Sequence, residues 1–369
     1  ARSSGVKIVL GTRSAIFTPL QEPGLIVVDE EQDVSYKQQD GFRYSARDIA
    51  VMRAQRAHIP VILGSATPSL ESIQNCKNLR YQQLFMSDRA GSAKQPEWRI
   101  IDMREEKIDS GIAASTLATI AETLDRSHQV LIFLNRRGFA PAILCHDCGW
   151  VAECKHCDAK MTFHYSYNRV VCHHCEKRLK PPNSCPQCQS SHLIATGEGT
   201  ERSEMMLKEK FPDTKILRVD RDTNQKRGYM QEVVNTVQTG VPCILIGTQM
   251  LAKGHDFPNV TLVVIVDADS SLFSPDFRAT ERMGQLITQV AGRSGRGKLP
   301  GQVLVQTHQP GHPALDLLFK QGYRSFAQRL LSDRELFQLP PHSYLALLRA
   351  EANDAAPAEK FLKAARQEA

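Results

Sequence analysis

The sequence predicts an α/β protein with two doubly wound parallel sheets and a cysteine-rich module inserted into the second. Three observations predict this fold class. Short β-branched apolar runs alternate with helical patterns in two successive series, polar residues follow the ends of these runs, and eight of the ten cysteines lie within residues 145–188. A length of 369 residues with 41% hydrophobic residues suits two or three domains, and a net charge of +6 is compatible with nucleic acid.

Residues 1–103 carry the first series. Strands are predicted over residues 7–10, 25–28, 61–63 and 99–101, and helices over residues 45–56 and 68–75. Runs of this kind are typical of strands that are buried on both faces. Because a domain seldom opens directly on a buried strand, we expect a further part of the protein upstream of Ala1.

Polar residues follow three of these strands, at residues 11–14, 29–32 and 64–67. Ligands of open α/β sheets bind beyond the carboxyl ends of the strands, so one shared cleft is expected here. An apolar strand followed by Asp29 and Glu30 is the Walker B arrangement, in which the Asp holds Mg²⁺ and the Glu orients the attacking water. Alone, such a pair is more often a solvated turn, and Ser65 and Thr67 are explained equally well as helix caps. The order of the three tips together favours a cleft.

The loop after the acidic pair mixes aromatic and basic side chains: Tyr36, Lys37, Phe42, Arg43 and Tyr44. Bases stack on aromatic faces while cations hold phosphates, so the loop is a candidate for binding DNA. The alternative is that the aromatic rings pack onto their own domain, and the sequence leaves both open.

The second series occupies residues 104–310, after a polar linker at residues 104–114. Helices are predicted over residues 115–125, 202–211 and 228–238, and strands over residues 130–134, 215–219, 244–246, 262–266 and 302–306. Polar residues again follow the strands. A helical stretch ends in residues 289–296, which include Gln289, Arg293 and Arg296. Arginines can clamp a phosphoryl group, although for these two alone a basic solvated turn is the commoner explanation. The stretch at residues 292–298 matches G-x4-G-K, but Leu299 replaces the required Ser/Thr, so the sequence contains no Walker A motif.

The cysteine-rich module consists of four C-x2-C pairs, which suit two tetrahedral Zn²⁺ sites with four thiolates each. Nested pairing places Cys154, Cys157, Cys172 and Cys175 at one site and Cys145, Cys148, Cys185 and Cys188 at the other. Loop closure favours nesting, with a β-hairpin over residues 158–171, but sequential pairing stays open. The neighbouring histidines are interpreted as polar loop residues, and Cys76 and Cys243 as packing residues. A disulfide framework lacks support because no signal peptide is evident, and iron could replace zinc in an expression host.

Taken together, these motifs resemble those of superfamily 2 DNA helicases, and among them the bacterial replication-restart helicases of the primosomal protein N′ (PriA) family. The resemblance covers nearly the whole chain, through residues 11–15, 29–32, 64–69, 135–138, 197–201, 247–257 and 289–296 and the eight cysteines. The zinc insertion is the specific mark, because other helicases of the superfamily share the remaining motifs without it.

The resemblance implies two RecA-like helicase lobes, the first incomplete, with a double zinc-ribbon insertion in the second lobe and the start of a C-terminal α+β domain. The implied bounds are 1–103 for the first lobe, 104–144 with 189–310 for the second, 145–188 for the insertion and 311–369 for the C-terminal domain.

The resemblance also assigns roles to individual residues. Hydrolysis would depend on Asp29, Glu30, Gln289, Arg293 and Arg296. Ser65 and Thr67 would couple the nucleotide state to lobe movement, and Gly254 and Asp256 would also contact the nucleotide. DNA would contact Thr12, Arg13, Tyr36, Phe42, Tyr44, Thr200 and Thr248.

The implied activity is ATP- and Mg²⁺-dependent 3′→5′ unwinding of DNA at stalled or abandoned replication forks, followed by primosome assembly. The implied partners are forked and single-stranded DNA, other primosome proteins and single-strand DNA-binding protein, for a monomer in the bacterial cytoplasm that does not bind membranes. The zinc module would bind the fork and help to dock primosome proteins.

Two departures from the family pattern matter. Gln32 stands where the family usually has His, and we expect its hydrogen bonds to bridge the lobes with altered coupling. Without a Walker A motif the phosphates have no cradle, so we expect that this chain alone does not hydrolyse ATP. Two other functions stay open, a non-catalytic zinc-stapled DNA-binding scaffold and another superfamily 2 translocase.

Overall fold

A computed structural model describes residues 7–86, 96–134, 141–157, 159–164, 168–196, 200–219, 228–248, 257–295, 299–352 and 354–368. The strands, in chain order, are β1 Ile26–Val28, β2 Val61–Leu63, β3 Glu97–Asp102, β4 Ile108–Asp109, β5 Ile112–Ala113, β6 Gln129–Phe133, β7 Ile143–Cys145, β8 Thr162–His164, β9 Arg169–Val171, β10 Arg178–Leu179, β11 Leu193–Ala195, β12 Lys215–Val219, β13 Cys243–Gly247, β14 Val260–Ile265 and β15 Gln302–Thr307. The α-helices are α1 Ala46–Ala57, α2 Leu70–Lys77, α3 Ala114–Asp125, α4 Thr200–Lys210, α5 Tyr229–Gln238, α6 Asp269–Leu272, α7 Ala279–Ala291, α8 Pro313–Leu336 and α9 Ala355–Glu368.

The first segment of the chain contains a two-stranded parallel sheet, in which β1 pairs with β2 from Ile26↔Val61 to Val28↔Leu63. Helix α1 lies between them in sequence. Its N-terminus is capped by Ser45, whose hydroxyl accepts a hydrogen bond from the amide of Asp48. One helical face of α1 carries three buried alanines, Ala46, Ala50 and Ala54, at four-residue spacing. Both strands and this helix match the prediction.

The strand predicted over residues 7–10 is wrong. This segment has no strand geometry, and the side chains of Ile8 and Leu10 are 79% and 93% exposed. An apolar run becomes a buried strand only where a neighbouring strand accepts its hydrogen bonds. No such neighbour exists for residues 7–10 within the described parts of the chain.

The second sheet has six parallel strands in the order β12-β13-β6-β14-β15-β3. Its core is formed by the apolar side chains of the central strands together with helices α3 and α4, including Ile132, Ile246 and Val264. Strand β3 is an edge strand that pairs with β15 from Gln302↔Glu97 to Thr307↔Asp102. The prediction placed the 99–101 strand in the first sheet, and this is wrong. Its six-residue register along β15 makes it part of the second sheet.

The cysteine-rich module interrupts the second sheet between β6 and β12, as the sequence predicted. It contains the antiparallel sheet β10-β9-β8 and the antiparallel pair β7-β11. Strands β8 and β9 form the predicted hairpin, with Phe163 opposite Val170. A small core of Ile143, Met161 and Val170 with two cysteines holds the module together.

The chain divides into two compact units, Ala1–Ser69 with Leu84–Phe326, and Leu70–Gln83 with Ala327–Ala369. The first unit holds both sheets and the cysteine-rich module. The second unit holds α2, the end of α8 and α9, and within it Arg334 donates a hydrogen bond to the carbonyl oxygen of Pro340 (3.0 Å). Among the helices that the structure describes, none is long and apolar enough to cross a lipid bilayer.

Candidate functional site

The acidic pair follows β1 directly and is held by short-range geometry. Glu30 has a positive φ of 48°, and its amide donates a hydrogen bond to Oδ1 of Asp29 (3.0 Å). The amide of Gly64 donates to the carbonyl oxygen of Val28, which brings the tip of β2 beside that of β1. The tips of β1 and β2 therefore lie side by side, as predicted, and Oδ1 of Asp29 would lie 3.5 Å from a Cβ at Gly64. The third predicted tip, at residues 11–14, follows no strand.

Gln32 connects the two tips. Its Nε2 donates to Oε2 of Glu30 (2.6 Å), and its Oε1 accepts from the hydroxyl of Ser65 (2.5 Å). Ser65 also accepts a hydrogen bond from the amide of Thr67 (2.9 Å). In the structure Gln32 therefore bridges two strand ends of the first sheet, and the predicted bridge to the second lobe is made by another residue.

Gln289, near the end of α7, makes the connection to the second sheet. Its Nε2 lies 3.0 Å from Oε2 of Glu30 and 3.5 Å from the hydroxyl of Thr67. The structure thus brings three predicted site residues, from two different sheets, into one hydrogen-bonded group. Arg293, one helical turn further on, is 7% exposed. Arg296 lies outside the described residues.

Glu31 has a role that sequence reasoning missed. Its carboxylate is 2% exposed and accepts hydrogen bonds from the amide of Ser69 (2.7 Å), the hydroxyl of Ser69 (3.0 Å) and the guanidinium of Arg47 (3.1 Å). A buried carboxylate is stable only when it is paired and hydrogen-bonded. Glu31 therefore fixes the loop after β2 to helix α1. The only sequence signal was its position in an Asp-Glu-Glu run.

The predicted DNA-contacting residues of the first segment lie close together. The guanidinium of Arg13 donates to the carbonyl oxygens of Ser35 (3.0 Å) and Lys37 (3.3 Å), while Thr12 is exposed. The ring of Tyr44 lies 4.9 Å from Phe17 and 5.9 Å from Phe42, and Phe42 is 77% exposed. So Tyr44 packs onto its own domain, while Phe42 presents an aromatic face to solvent.

Tyr36 connects this loop to the acidic pair, because its hydroxyl donates to the carbonyl oxygen of Asp29 (2.7 Å). Burial raises the pKa of Tyr36 above its usual value, and the carboxylates of Asp33, Asp29 and Glu30 raise it further. The phenol stays protonated as a donor near neutral pH. A movement of the aromatic loop would thus displace the backbone at Asp29 through this hydrogen bond.

The other predicted site residues are placed only in part. Thr248 follows β13 and is 7% exposed. Thr200 begins α4, and its side chain lies outside what the structure describes. Gly254, Asp256 and residues 135–138 also fall outside the described residues.

The eight cysteines form two separate clusters, and they are nested. One cluster contains Cys145, Cys148, Cys185 and Cys188, and the other contains Cys154, Cys157, Cys172 and Cys175, with all four Sγ atoms of each within 4.8 Å of one another. The predicted pairing is confirmed, and sequential pairing is excluded.

The cluster geometry fits tetrahedral zinc. Sγ–Sγ separations of 3.6 Å occur for Cys145–Cys188 and Cys148–Cys185, and of 3.4 Å for Cys154–Cys175 and Cys157–Cys172. A Zn–S bond of about 2.3 Å requires tetrahedral edges of about 3.8 Å, which a small expansion of either cluster provides. Four thiolates with no open position make a structural site.

The zinc module is joined to the second sheet by a chain of polar contacts that the sequence did not indicate. Nδ1 of His146 lies 3.2 Å from Nε2 of His308, and Nδ1 of His308 lies 2.8 Å from Oδ2 of Asp269. The hydroxyl of Thr307 donates to the same carboxylate. Beside this chain, burial raises the pKa of Asp267 to about 6, with the charge of Asp269 contributing.

A second contact fixes the module's first cysteine loop. The side-chain amide of Gln309 donates to the carbonyl oxygen of Gly149 (2.6 Å). Gly149 has a φ of 75°, and a Cβ there would lie 2.7 Å from the carbonyl oxygen of His308. Only glycine permits this approach, so the loop carrying Cys145 and Cys148 is positioned directly against the end of β15.

Comparison with known proteins agrees with this architecture. The family described as helicase conserved C-terminal domain matches residues 188–298, and the family described as PriA DNA helicase Cys-rich region (CRR) domain matches residues 154–180. A solved structure of Saccharomyces cerevisiae Dbp5 bound to RNA and ADP BeF3 covers 95% of this chain and 65% of its own, at 15% identity with a TM-score of 0.41. That likeness is too remote to carry an argument.

Curated relatives cover nearly all of the chain. The replication restart protein PriA of Haemophilus influenzae is 49% identical over 362 residues, which are 98% of this chain and 50% of the relative. The replication restart protein PriA of Bacillus subtilis is 41% identical over 369 residues, 97% of this chain and 46% of the relative. The chain spans about half the length of the curated relatives it matches. The predicted helicase fold class with its zinc insertion is confirmed, and over the residues that it spans the chain belongs to the PriA family of replication restart proteins.

Proposed function

We propose that this chain is the central part of an ATP-dependent 3′→5′ DNA helicase that recognises stalled or abandoned replication forks, unwinds them and initiates primosome assembly. The single observation that carries the proposal is the hydrogen bond from Gln289 to Glu30. It joins the Walker B tip of the first sheet to helix α7, which packs on the second sheet and leads into Arg293. A cleft built from both sheets opens and closes with nucleotide, which a scaffold does not need.

The roles within the cleft follow from chemistry and position. Asp29 would hold Mg²⁺, and Glu30 would orient the attacking water while Gln32 and Gln289 fix its carboxylate. Mg²⁺ neutralises charge on the phosphates when it is bound. Arg293 would reach the γ-phosphate from the turn after α7, together with Arg296. Ser65 and Thr67 would transmit the state of the cleft along the loop after β2, with Gly254 and Asp256 contacting the nucleotide.

DNA would be held on the side of the molecule that carries the nucleotide cleft. Phe42 offers an exposed ring for base stacking, and Arg13 and Thr12 lie beside the loop that carries it. Tyr36 connects this loop to Asp29, so that bound DNA would influence hydrolysis. Thr200 and Thr248 would contact the backbone from the second sheet.

The two zinc sites would shape a module that binds the fork and docks other primosome proteins, with single-strand DNA-binding protein among the partners. The eight thiolates close both sites, so that zinc there has no open position for catalysis. The chain itself has no Walker A motif, and we propose that ATP hydrolysis needs a P-loop outside these residues.

A strand-displacement assay tests the proposal. The protein, extended to the length of its PriA relatives, is given partial duplexes that carry either a 3′ or a 5′ single-stranded tail, with ATP or without. We expect ATP-dependent unwinding of forks and of substrates along which the protein travels 3′→5′. Binding of forked DNA without any ATP-dependent unwinding would favour the zinc-stapled scaffold, and unwinding without any preference for forks would favour another superfamily 2 translocase.

A further inference from the structure

We propose that Tyr323 is a positioning residue that holds the loop after β2 against helix α7, so that the segment following the second sheet takes part in closing the ATP cleft. This inference rests on the proposed function. Tyr323 lies in α8, beyond the last strand of the sheet, and no motif of the sequence pointed to it.

The geometry is a short relay of hydrogen bonds. The hydroxyl of Tyr323 donates to the carbonyl oxygen of Pro68 (2.8 Å) and accepts from Nε2 of Gln285 on α7 (3.2 Å). A phenol has one proton to donate and lone pairs to accept, so both bonds can exist together. Tyr323 is 8% exposed and Gln285 is 6% exposed, so both bonds are shielded from water.

The relay runs beside the Glu30 contact on the same helix. Gln285 and Gln289 are four residues apart on α7 and therefore share one face. Gln289 contacts Thr67 and Glu30, while Gln285 reaches the neighbouring Pro68 through Tyr323. Helix α7 thus contacts two consecutive residues of the loop after β2. It contacts Thr67 directly and Pro68 through Tyr323.

A break in α8 makes this placement possible. Gly322 has φ 77° and ψ 177°, outside helical values, so the helix bends immediately before Tyr323. Residues other than glycine rarely adopt that conformation. After the bend, Phe326 packs against Gly284 of α7, where a Cβ would come within 2.2 Å of its ring. Both glycines serve the close approach of α8 to α7.

The consequence concerns ATP binding. The carbonyl of Pro68 belongs to the loop whose Thr67 hydroxyl faces Gln289. Loss of the Tyr323 hydroxyl removes one bond that favours the closed arrangement and leaves the reacting groups themselves in place. The apparent affinity for ATP falls in proportion to the fraction of molecules in which the cleft is closed. Loss of the Tyr323 hydroxyl should therefore raise the KM for ATP and leave kcat unchanged.

The experiment compares wild type and Tyr323→Phe in the protein extended to the length of its PriA relatives. We expect the KM for ATP in DNA-stimulated hydrolysis to rise roughly five-fold, with kcat changed by less than about two-fold. Amide hydrogens of Thr67 and Ser69 should exchange faster in the variant. Tyr344→Phe is the matched control, since Tyr344 is 100% exposed, and it should match wild type in both readouts.

Gly322→Ala tests the same inference without touching the hydroxyl. No atom lies within 4 Å of a Cβ built at Gly322, so an effect must come from the backbone and not from a clash. We expect the same rise in KM as for Tyr323→Phe. Gly311→Ala is the control, because Gly311 is equally open and lacks a left-handed φ.

The outcomes separate this inference from the proposed function. An unchanged KM or unchanged amide exchange in Tyr323→Phe, beside an active wild type, overturns the positioning role and leaves the helicase proposal intact. If wild type does not hydrolyse ATP in the presence of DNA, the proposed function is overturned. The proposed effect of Tyr323 on ATP binding is then overturned as well. Faster exchange in Tyr323→Phe would then still establish the contact between Tyr323 and the loop.

Discussion

Nε2 of Gln289 lies 3.0 Å from Oε2 of Glu30, and Nε2 of Gln32 lies 2.6 Å from the same oxygen. One carboxylate oxygen is therefore held from two sides, by a neighbour in its own loop and by a helix of the other sheet. In the proposed role of Glu30, these two donors together would set the orientation of the carboxylate that positions the attacking water. This arrangement makes the role of Gln289 directly testable.

Replacing Gln289 with Ala should reduce the kcat of DNA-stimulated ATP hydrolysis about ten-fold, equivalent to about 1.4 kcal/mol of transition-state stabilisation. The reason is the loss of one donor that orients Glu30. The measurement is steady-state hydrolysis in the protein extended to the length of its relatives. Gln231→Ala, on the exposed face of α5, is the matched control and should behave as wild type. An unchanged kcat in Gln289→Ala would contradict the orienting role.

The nested cysteine clusters predict the zinc content of paired substitutions. Cys145→Ser with Cys188→Ser removes two ligands of one site, so the chain should retain one zinc ion of two. Cys145→Ser with Cys154→Ser damages both sites and should leave almost none. Zinc released on thiol modification measures the content. Cys76→Ser, outside both clusters, should keep both ions. Retention of one ion in the second pair would refute the nested assignment.

Glu31 should matter for stability more than for catalysis. Glu31→Gln exchanges a buried carboxylate, bonded to Arg47 and Ser69, for an amide that cannot accept all of these hydrogen bonds. We expect a loss of about 3 kcal/mol in the free energy of unfolding, measured by denaturant titration of the chain. Asp48→Asn removes an exposed charged partner of Arg47 and should change stability by less than about 0.5 kcal/mol. Equal effects of the two substitutions would rule out the buried network as the cause.

Removing the charge of Asp267 should make the protein more stable. Burial, with Asp269 nearby, raises its pKa to about 6, above the unfolded value. The folded protein therefore binds more protons than the unfolded chain between about pH 4 and pH 6, and stability falls as pH rises through this window. Asp267→Asn should add up to about 3 kcal/mol at pH 7.5 and about half as much at pH 5.

Denaturant midpoints of wild type and Asp267→Asn at the two pH values provide the check. Asn keeps an oxygen that can accept the hydrogen bond from the amide of Ser270, so the local geometry survives. A stabilisation that does not depend on pH would mean that the carboxylate is already neutral or well solvated. Asp316→Asn, at a helix position where the side chain is 49% exposed, should show no such trend.

Local patterns in the sequence were sufficient for most of the elements. The four inner strands of the second sheet, β13, β6, β14 and β15, are largely apolar runs with a neighbouring strand on both sides. All six strands of this sheet begin and end within one or two residues of their predicted bounds. Loop lengths in the sequence favoured the nested cysteine pairing over the sequential one, and the positions of the Sγ atoms decide between the two. Residues 7–10 show the limit of this reasoning: their pattern is that of a buried strand, but a strand also needs a partner.

Long-range contacts could not be predicted in the same way. Whether the strand at residues 97–102 joins the first or the second sheet depends on which edge is open, and its own sequence contains no sign of that. The same holds for Gln289 with Glu30, Tyr323 with Pro68, and His308 with His146. Each pair brings together residues far apart in the chain, whose contact is set by the packing of whole helices and strands.

The measurement that tests the account most directly is ATP hydrolysis stimulated by single-stranded DNA, in the protein extended to the length of its PriA relatives, for wild type and Glu30→Gln. We expect DNA to raise the hydrolysis rate of wild type and expect the variant to lose this rate while it still binds DNA. Hydrolysis that survives in Glu30→Gln, or a wild type that binds forked DNA and hydrolyses nothing, would contradict the proposed cleft.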